Sequence, residues 1–154
     1  CQVHDEKAFY SMAGVSGHAG LFANLHDMAI LVQLALQSGR YGNLTFWDKK
    51  TTDLFISTNQ QDDTFGLGWR KSGATHAYKA FGNYASDLAY GHTGWTGTIT
   101  LIDPKYDLAI VLLTNKKHSN RNILFSYSFY DIFCCFYWTI IKSQKCYFIV
   151  CSCK

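Results

Sequence analysis

His92, Thr93 and Gly94 stand in a row inside the run YGHTGWTGTITLIDPKYDLAIVLLTN, residues 90–115. An imidazole nitrogen and a hydroxyl side by side are donors for a carboxylate. A glycine after them removes the side chain that would block another chain lying along the strand. The chemistry this suggests is the gripping of a peptide-like ligand by its terminus at a strand edge. A plainer reading, a glycine-rich strand bearing a surface histidine, uses the same residues. His4, Asp5 and Glu6 suggest an acid–base or metal cluster. Adjacent residues of an extended chain point apart, however, so fixing a loop suits them better than joint catalysis. His18, in SGHAG, suits a buried, hydrogen-bonded turn, and Asp87 either accepts a bond from His92 or caps a turn.

A strand that grips a ligand needs a sheet behind it. Leu108 to Leu113 has no polar residue, which predicts a strand covered on both faces. Thr98, Ile99, Thr100 and Leu101 alternate, and Asp103-Pro104 sets a turn between these runs. Upstream, Phe65, Leu67 and Trp69 alternate with Gly66 and Gly68 and predict another strand, and His76 to Phe81 a further one. NLHDMAILVQLALQSG reads as a helix whose apolar face is Leu25, Met28, Ala29, Val32, Ala35 and Leu36. Asn24 is its N-cap, Asp27 favours the positive dipole end, and Gly39 takes the left-handed conformation that stops it. A shorter helix starts at Asp48, with Trp47 stapled onto its first turn and Leu54 and Phe55 facing inward. The glycine-rich opening, through Phe22, reads as loop. The fold class is therefore α+β, an antiparallel β-sheet flanked by helices on both faces.

The 154 residues suffice for one domain with a real core and too few for two comfortable ones. With 48% hydrophobic and 16% charged residues the chain is globular and not disordered. A net charge of +3 with no basic stripe argues against a nucleic-acid partner. The chain opens on Cys1 without a charged-then-apolar leader, as a processed product or an internal piece of a longer protein would, and the piece is the favoured reading. Composition changes near His118: every glycine and the single proline lie before it, and five of the six cysteines lie after it.

GHTGWTGT resembles the His-Thr-Gly version of the third motif of the serine β-lactamase and penicillin-binding protein superfamily. VHDEKAFYSMAGVSGHAGLFANLHDMAILVQLALQSGRYG is similar to the loop-then-helix block that precedes this motif in the class C-like serine hydrolases. FGLGWR and LIDPKYDLAIVLLTN sit where that family has sheet strands, so the likeness covers Val3 to His118. Within the superfamily, LASD…YGHTGWTGT…LLTN looks closest to low-mass penicillin-binding proteins of the carboxypeptidase type. The resemblance implies a partial β-lactamase/transpeptidase-like fold. It also implies a substrate site at His92, Thr93 and Gly94, with the backbone N–H of Trp95 completing an oxyanion hole. The implied partners are a peptidoglycan stem peptide or a β-lactam, attacked through an acyl-enzyme. It implies no metal or organic cofactor, and for the complete protein a place in the bacterial cell envelope.

The family's nucleophile is Ser-x-x-Lys, and no serine in this chain has a lysine three positions later. Thr114-Asn115-Lys116-Lys117 has the spacing with a threonine, but at the end of a strand. Tyr41-Gly42-Asn43 matches the letters of the second motif, Tyr-x-Asn, yet it falls in the turn after the first helix, where relatives carry a Gly-x-Tyr-Gly loop. The chain thus reads as the C-terminal part of a hydrolase domain, residues 1–118, lacking the N-terminal half as its partner and inactive alone. Residues 119–154 form an atypical Cys- and aromatic-rich tail. Ile123, Leu124, Tyr127, Tyr130 and Asp131 suit the start of a terminal helix, and the text beyond resembles AT-rich sequence translated outside its normal frame. Two alternatives attach to this tail. One is a non-catalytic, membrane-associated binding protein anchored through residues 123–141, against which Asp131 weighs about 2.5–3.5 kcal/mol. The other is a zinc site at Cys146, Cys151 and Cys153, which lack a Cys-x-x-Cys pair and a following histidine.

Overall fold

A computed structural model describes residues 2–58, 61–73, 81–82 and 84–114, together with the backbone of 147–150. It is an α+β arrangement: a five-stranded sheet, a small hairpin and two α-helices. The chain enters through one π-helical turn, Lys7–Ser11, then crosses a loop into helix α1, Leu25–Leu36. The Asn24 side chain accepts from the Asp27 N–H at 2.9 Å and donates to the Asp27 carboxylate at 2.9 Å, capping the helix as its sequence suggests. Gly39 (φ 89°) ends it, donating to the Leu34 carbonyl at 2.7 Å. A Cβ at Gly39 would lie 2.3 Å from the Trp47 carbonyl oxygen, so close backbone approach as well as the left-handed turn requires glycine there.

Strands β1 (Arg40–Tyr41) and β2 (Leu44–Thr45) form the hairpin, and Tyr41-Gly42-Asn43 is simply the end of β1 and the two-residue turn after it. Helix α2, Lys49–Ile56, is N-capped by Asp48, whose carboxylate accepts from the N–H and the hydroxyl of Thr51, both at 2.8 Å. Trp47 does staple the first turn, by donating its indole N–H to the Thr52 hydroxyl at 2.8 Å. The expected inward pair is corrected: Leu54 and Phe55 are exposed, and α2 turns Thr52 and part of Ile56 inward. The indole–Thr52 bond fixes that rotation.

The predicted strand through Phe65, Leu67 and Trp69 is also corrected. Gly66 donates to the Trp69 carbonyl at 2.8 Å and Gly68 has φ 82°, so the chain folds back in a tight turn. Only Arg70–Lys71 continues as strand β3. A Cβ at Gly66 would meet the Phe55 carbonyl at 2.4 Å. The two glycines serve the turn and its seat on α2; they are not the bare face of a strand. The strand expected at residues 76–81 lies outside the described residues apart from Phe81, which is buried.

The sheet runs β3, β4 (Tyr90–Thr93), β5 (Ile99–Asp103), β6 (Leu108–Leu113), and the backbone of Tyr147–Val150 as β7. The first four pair antiparallel, and β7 lies parallel to β6. Leu108 through Leu112 are all buried, as a wholly apolar run predicts. On one face, Val32 and Ala35 of α1 pack with Tyr90, Ile102, Ala109 and Val111. On the other, Phe81 and Ala89 pack with Leu101, Leu108, Ile110 and Leu112, with Tyr106 of a short 3₁₀ turn (Pro104–Tyr106) against them. No helix among the described residues is long and apolar enough to cross a membrane, and none of their His, Cys, Asp or Glu side chains gather in a group of three that could hold a metal ion. The tail helix, the membrane-length run and the tail cysteines all fall outside the described residues.

Candidate functional site

β4 is fixed from behind before it reaches its exposed end. Tyr90, buried, donates its phenol to the Ala35 carbonyl at 3.0 Å, tying the strand to the last turn of α1. Burial pushes that phenol up to about 12, so it stays a donor across the working pH range. Trp69 packs edge-on against the Tyr90 ring at 5.3 Å, and the Lys71 ammonium lies 5.9 Å from the same ring. Burial lowers the Lys71 ammonium below its ordinary value. Gly91 follows, and a Cβ there would sit 2.1 Å from the Thr100 carbonyl oxygen and 3.0 Å from the Phe81 ring.

A second anchor holds the loop that leads into β4. The Asp103 carboxylate, with 0% exposure, accepts from the Ser86 N–H at 2.9 Å, the Ser86 hydroxyl at 2.6 Å and the Lys105 N–H at 3.1 Å. Sequence reasoning assigned Asp103 only to a turn and passed over Ser86 and Tyr90. The available signal was a carboxylate closing a strand apolar but for Thr100; such a carboxylate has to find donors once buried.

Past Gly91 the surroundings open. β3 pairs with β4 only through Arg70↔Gly91 and Lys71↔Tyr90, so among the described residues no strand pairs with the outer edge of His92 and Thr93. Both residues are exposed. Strand alternation puts His92 on the face of Tyr90 and Thr93 on the face of Gly91, so one ligand meets both only by lying along the edge. The His92 Nδ1 donates to the Thr93 carbonyl at 2.8 Å.

The strand then turns through Gly94, Trp95, Thr96 and Gly97. Gly97 donates to the Gly94 carbonyl at 3.0 Å, and Gly94 donates to Thr98 at 2.8 Å. Gly97 takes φ 93°, which makes a four-residue turn closed by a left-handed glycine. Trp95 stands exposed in this turn, and the Thr114 hydroxyl braces it by donating to the Thr96 carbonyl at 3.1 Å. Gly94 is itself exposed, but a Cβ there would come 2.1 Å from the Thr98 hydroxyl. What limits a side chain here is therefore the hairpin's own Thr98 hydroxyl, independently of any ligand.

The other candidates lie elsewhere. Asp5 accepts from the Ala8 N–H at 2.8 Å and pairs with His18 Nε2 at 3.0 Å, which fixes the N-terminal loop. Those two bonds, the Ala8 N–H first, lower its carboxyl below the ordinary value. His18 is hydrogen-bonded as expected, but its side chain is half exposed, not buried. Asp87 is exposed, its backbone carbonyl packs against Gly73, and the His92 ring turns to Thr93 instead of to it.

The β-lactamase family profile matches residues 2–125, and the chain belongs to that family, within the serine β-lactamase/penicillin-binding protein superfamily. By family it is a hydrolase of the serine type. It is 61% identical over 118 residues to the N-acetylmuramyl-L-alanine amidase of Bacillus subtilis strain 168, covering 77% of this chain and 27% of the relative. It is 58% identical over 118 residues to a putative D-alanyl-D-alanine carboxypeptidase of Salmonella gallinarum, and 55% identical to one of Escherichia coli O157:H7, with the same shares covered. The chain thus spans 27% of the length of these relatives. No solved structure matches it.

Proposed function

We propose that this chain is the substrate-edge portion of a penicillin-binding-protein-like serine hydrolase acting on D-Ala-D-Ala peptides, β-lactams or related esters and amides, and that alone it does not turn them over. The observation that supports this most is the open edge of His92 and Thr93 just past the last β3 pair, continued by an exposed Trp95 in a braced turn. In this reading His92 and Thr93 hold the carboxylate end of an extended ligand, and Gly94 keeps the hairpin tight enough for the ligand to reach it. The Trp95 N–H faces the oxygen that becomes negative on acylation; one such donor is worth about 10²–10³ in rate. The attacking serine, its lysine and the tyrosine come from a preceding segment. Tyr10, Val15, Leu21 and Phe22 are largely exposed, with Val15 at 83% and Leu21 at 81%, as apolar side chains are when the surface that covers them is missing. Residues 1–118 form the hydrolase portion and 119–154 a tail foreign to it, and the complete protein works in the cell envelope.

A fluorescent penicillin tests this. The 154-residue chain alone is expected to take up no covalent label. Co-expression with the N-terminal portion of the Bacillus subtilis relative is expected to restore labelling, on a serine of that portion. Covalent labelling of the isolated chain would overturn the account of the missing nucleophile.

A further inference from the structure

The contact between His92 and the Thr93 carbonyl fixes more than a ring orientation. A carbonyl oxygen only accepts, so the ring nitrogen facing it at 2.8 Å, Nδ1, must carry the proton. Neutral imidazole has one N–H, and here it is already used. The outward nitrogen, Nε2, is then a lone pair: it repels a carboxylate and accepts from a donor. Only the imidazolium presents an N–H at Nε2.

Resting on the proposed ligand edge, we infer that His92 is a charge-dependent selector, binding the carboxylate terminus of a peptide as imidazolium and favouring an amide or hydroxyl donor in the same place when neutral. A lysine at this position, the alternative form of the motif, would make no such distinction, because an ammonium only donates. The charged surroundings are one-sided. On β3, Lys71 shares the His92 face and Arg70 stands opposite Gly91, with its guanidinium over the Phe65 ring at 4.6 Å. The β5 residues facing β4, Ile99 through Ile102, carry no charge, and Asp103 beyond them is sealed and bonded to Ser86. On α1 the titratable groups are His26 and Asp27, both exposed. Among the described residues none of these groups is hydrogen-bonded to Nε2.

The test uses the full chain with two probes, N-acetyl-D-alanyl-D-alanine and its C-terminal amide, followed by NMR titration between pH 5.5 and 8.5. The acid is expected to lose about 10- to 100-fold affinity between pH 5.5 and 8.5, the difference between a charge-assisted bond and none. The amide is expected to hold its affinity or gain. Calorimetry in two buffers of different ionisation enthalpy should show proton uptake with the acid and none with the amide. His92→Lys should make acid binding flat over this range, and His92→Asn should leave it weak at every pH. Acid binding by the unaltered chain that is flat from pH 5.5 to 8.5 without proton uptake would refute the selector and leave the ligand edge standing. Absence of any chemical-shift change at residues 91–97 with either probe at any pH would refute both.

Discussion

Replacing Asp103 tests whether β4 is held by polar anchors or by packing alone. Its carboxylate is fully buried and serves three donors, two of them on Ser86, which is itself only 7% exposed. Asp103→Ala leaves the Ser86 N–H and hydroxyl without their acceptor. Each buried donor so abandoned costs about 1–3 kcal/mol. The Lys105 N–H, close to solvent, finds water. Removing a desolvated carboxylate returns part of that cost, so the net expectation is about 3 kcal/mol. Asp103→Asn keeps one acceptor oxygen, and its amide can donate to the Ser86 hydroxyl, so it should cost about 1–2 kcal/mol. Asp103→Leu fills the space and satisfies nothing, so it should resemble Ala. Urea unfolding of the full chain followed by tryptophan fluorescence reads these values. With a slope of about 1–3 kcal/mol/M, the Ala midpoint falls by about 1–3 M and the Asn midpoint by about half as much. Hydrogen exchange at the Ser86 amide should quicken in Ala and Leu. A Leu variant as stable as the original would show that volume, not hydrogen bonding, holds the loop, and the reasoning would be wrong.

Two further outcomes follow from the geometry. Gly91→Ala drives a Cβ to 2.1 Å from a backbone oxygen across the ladder, whereas Gly94→Ala meets only the Thr98 hydroxyl, which can rotate away. In the same urea assay Gly91→Ala should cost about 1–3 kcal/mol more than Gly94→Ala, and equal costs would contradict the close β4–β5 approach. The second outcome concerns acid. The carboxyls of Asp5, Asp48 and Asp62 are lowered from 3.8 chiefly by hydrogen bonds, from the Ala8 N–H, the Thr51 N–H and the Thr64 hydroxyl respectively. Folded values below the unfolded ones mean that their stabilisation is complete above about pH 4 and disappears as pH falls through the lowered folded values. Urea midpoints at pH 5 and pH 3 check this, and Asp48→Asn should flatten the α2 share of the decline.

The elements legible in the sequence are those whose pattern has one physical solution. An unbroken apolar run of six residues between turns must be an inner strand, and Leu108–Leu113 is. Asn24 before an apolar 3.6-residue repeat, closed by Gly39, must be a helix, and Leu25–Leu36 is. Phe65 to Trp69 failed because alternation with glycine has two solutions. The same letters give a strand or a turn, and the choice rests on the Phe55 carbonyl, ten or more residues away in the chain. Leu54 and Phe55 failed because an eight-residue helix has too few turns for its apolar stripe to outweigh a neighbour's hydrogen bond to Thr52. At the candidate site the exposed triplet was readable from residue types. Its supports were not, since Tyr90 reaches Ala35 and Ser86 reaches Asp103 across 55 and 17 positions.

Those supports explain why the edge lies where it does. Of the three buried polar side chains among the described residues, Ser86 and Asp103 clamp the entrance to β4, while the Tyr90 phenol pins its first residue and the Thr114 hydroxyl braces the turn beyond it. Between these fixed points lie His92 and Thr93, without a described strand on their outer side. A ligand on the proposed edge would meet a backbone already ordered on both flanks, so little further ordering entropy would oppose binding. With the strand fixed and the ring tied to Thr93, the proposed selector would change which ligand terminus fits without moving the backbone, so the His92 binding series and the Asp103 stability series probe separable properties of one strand.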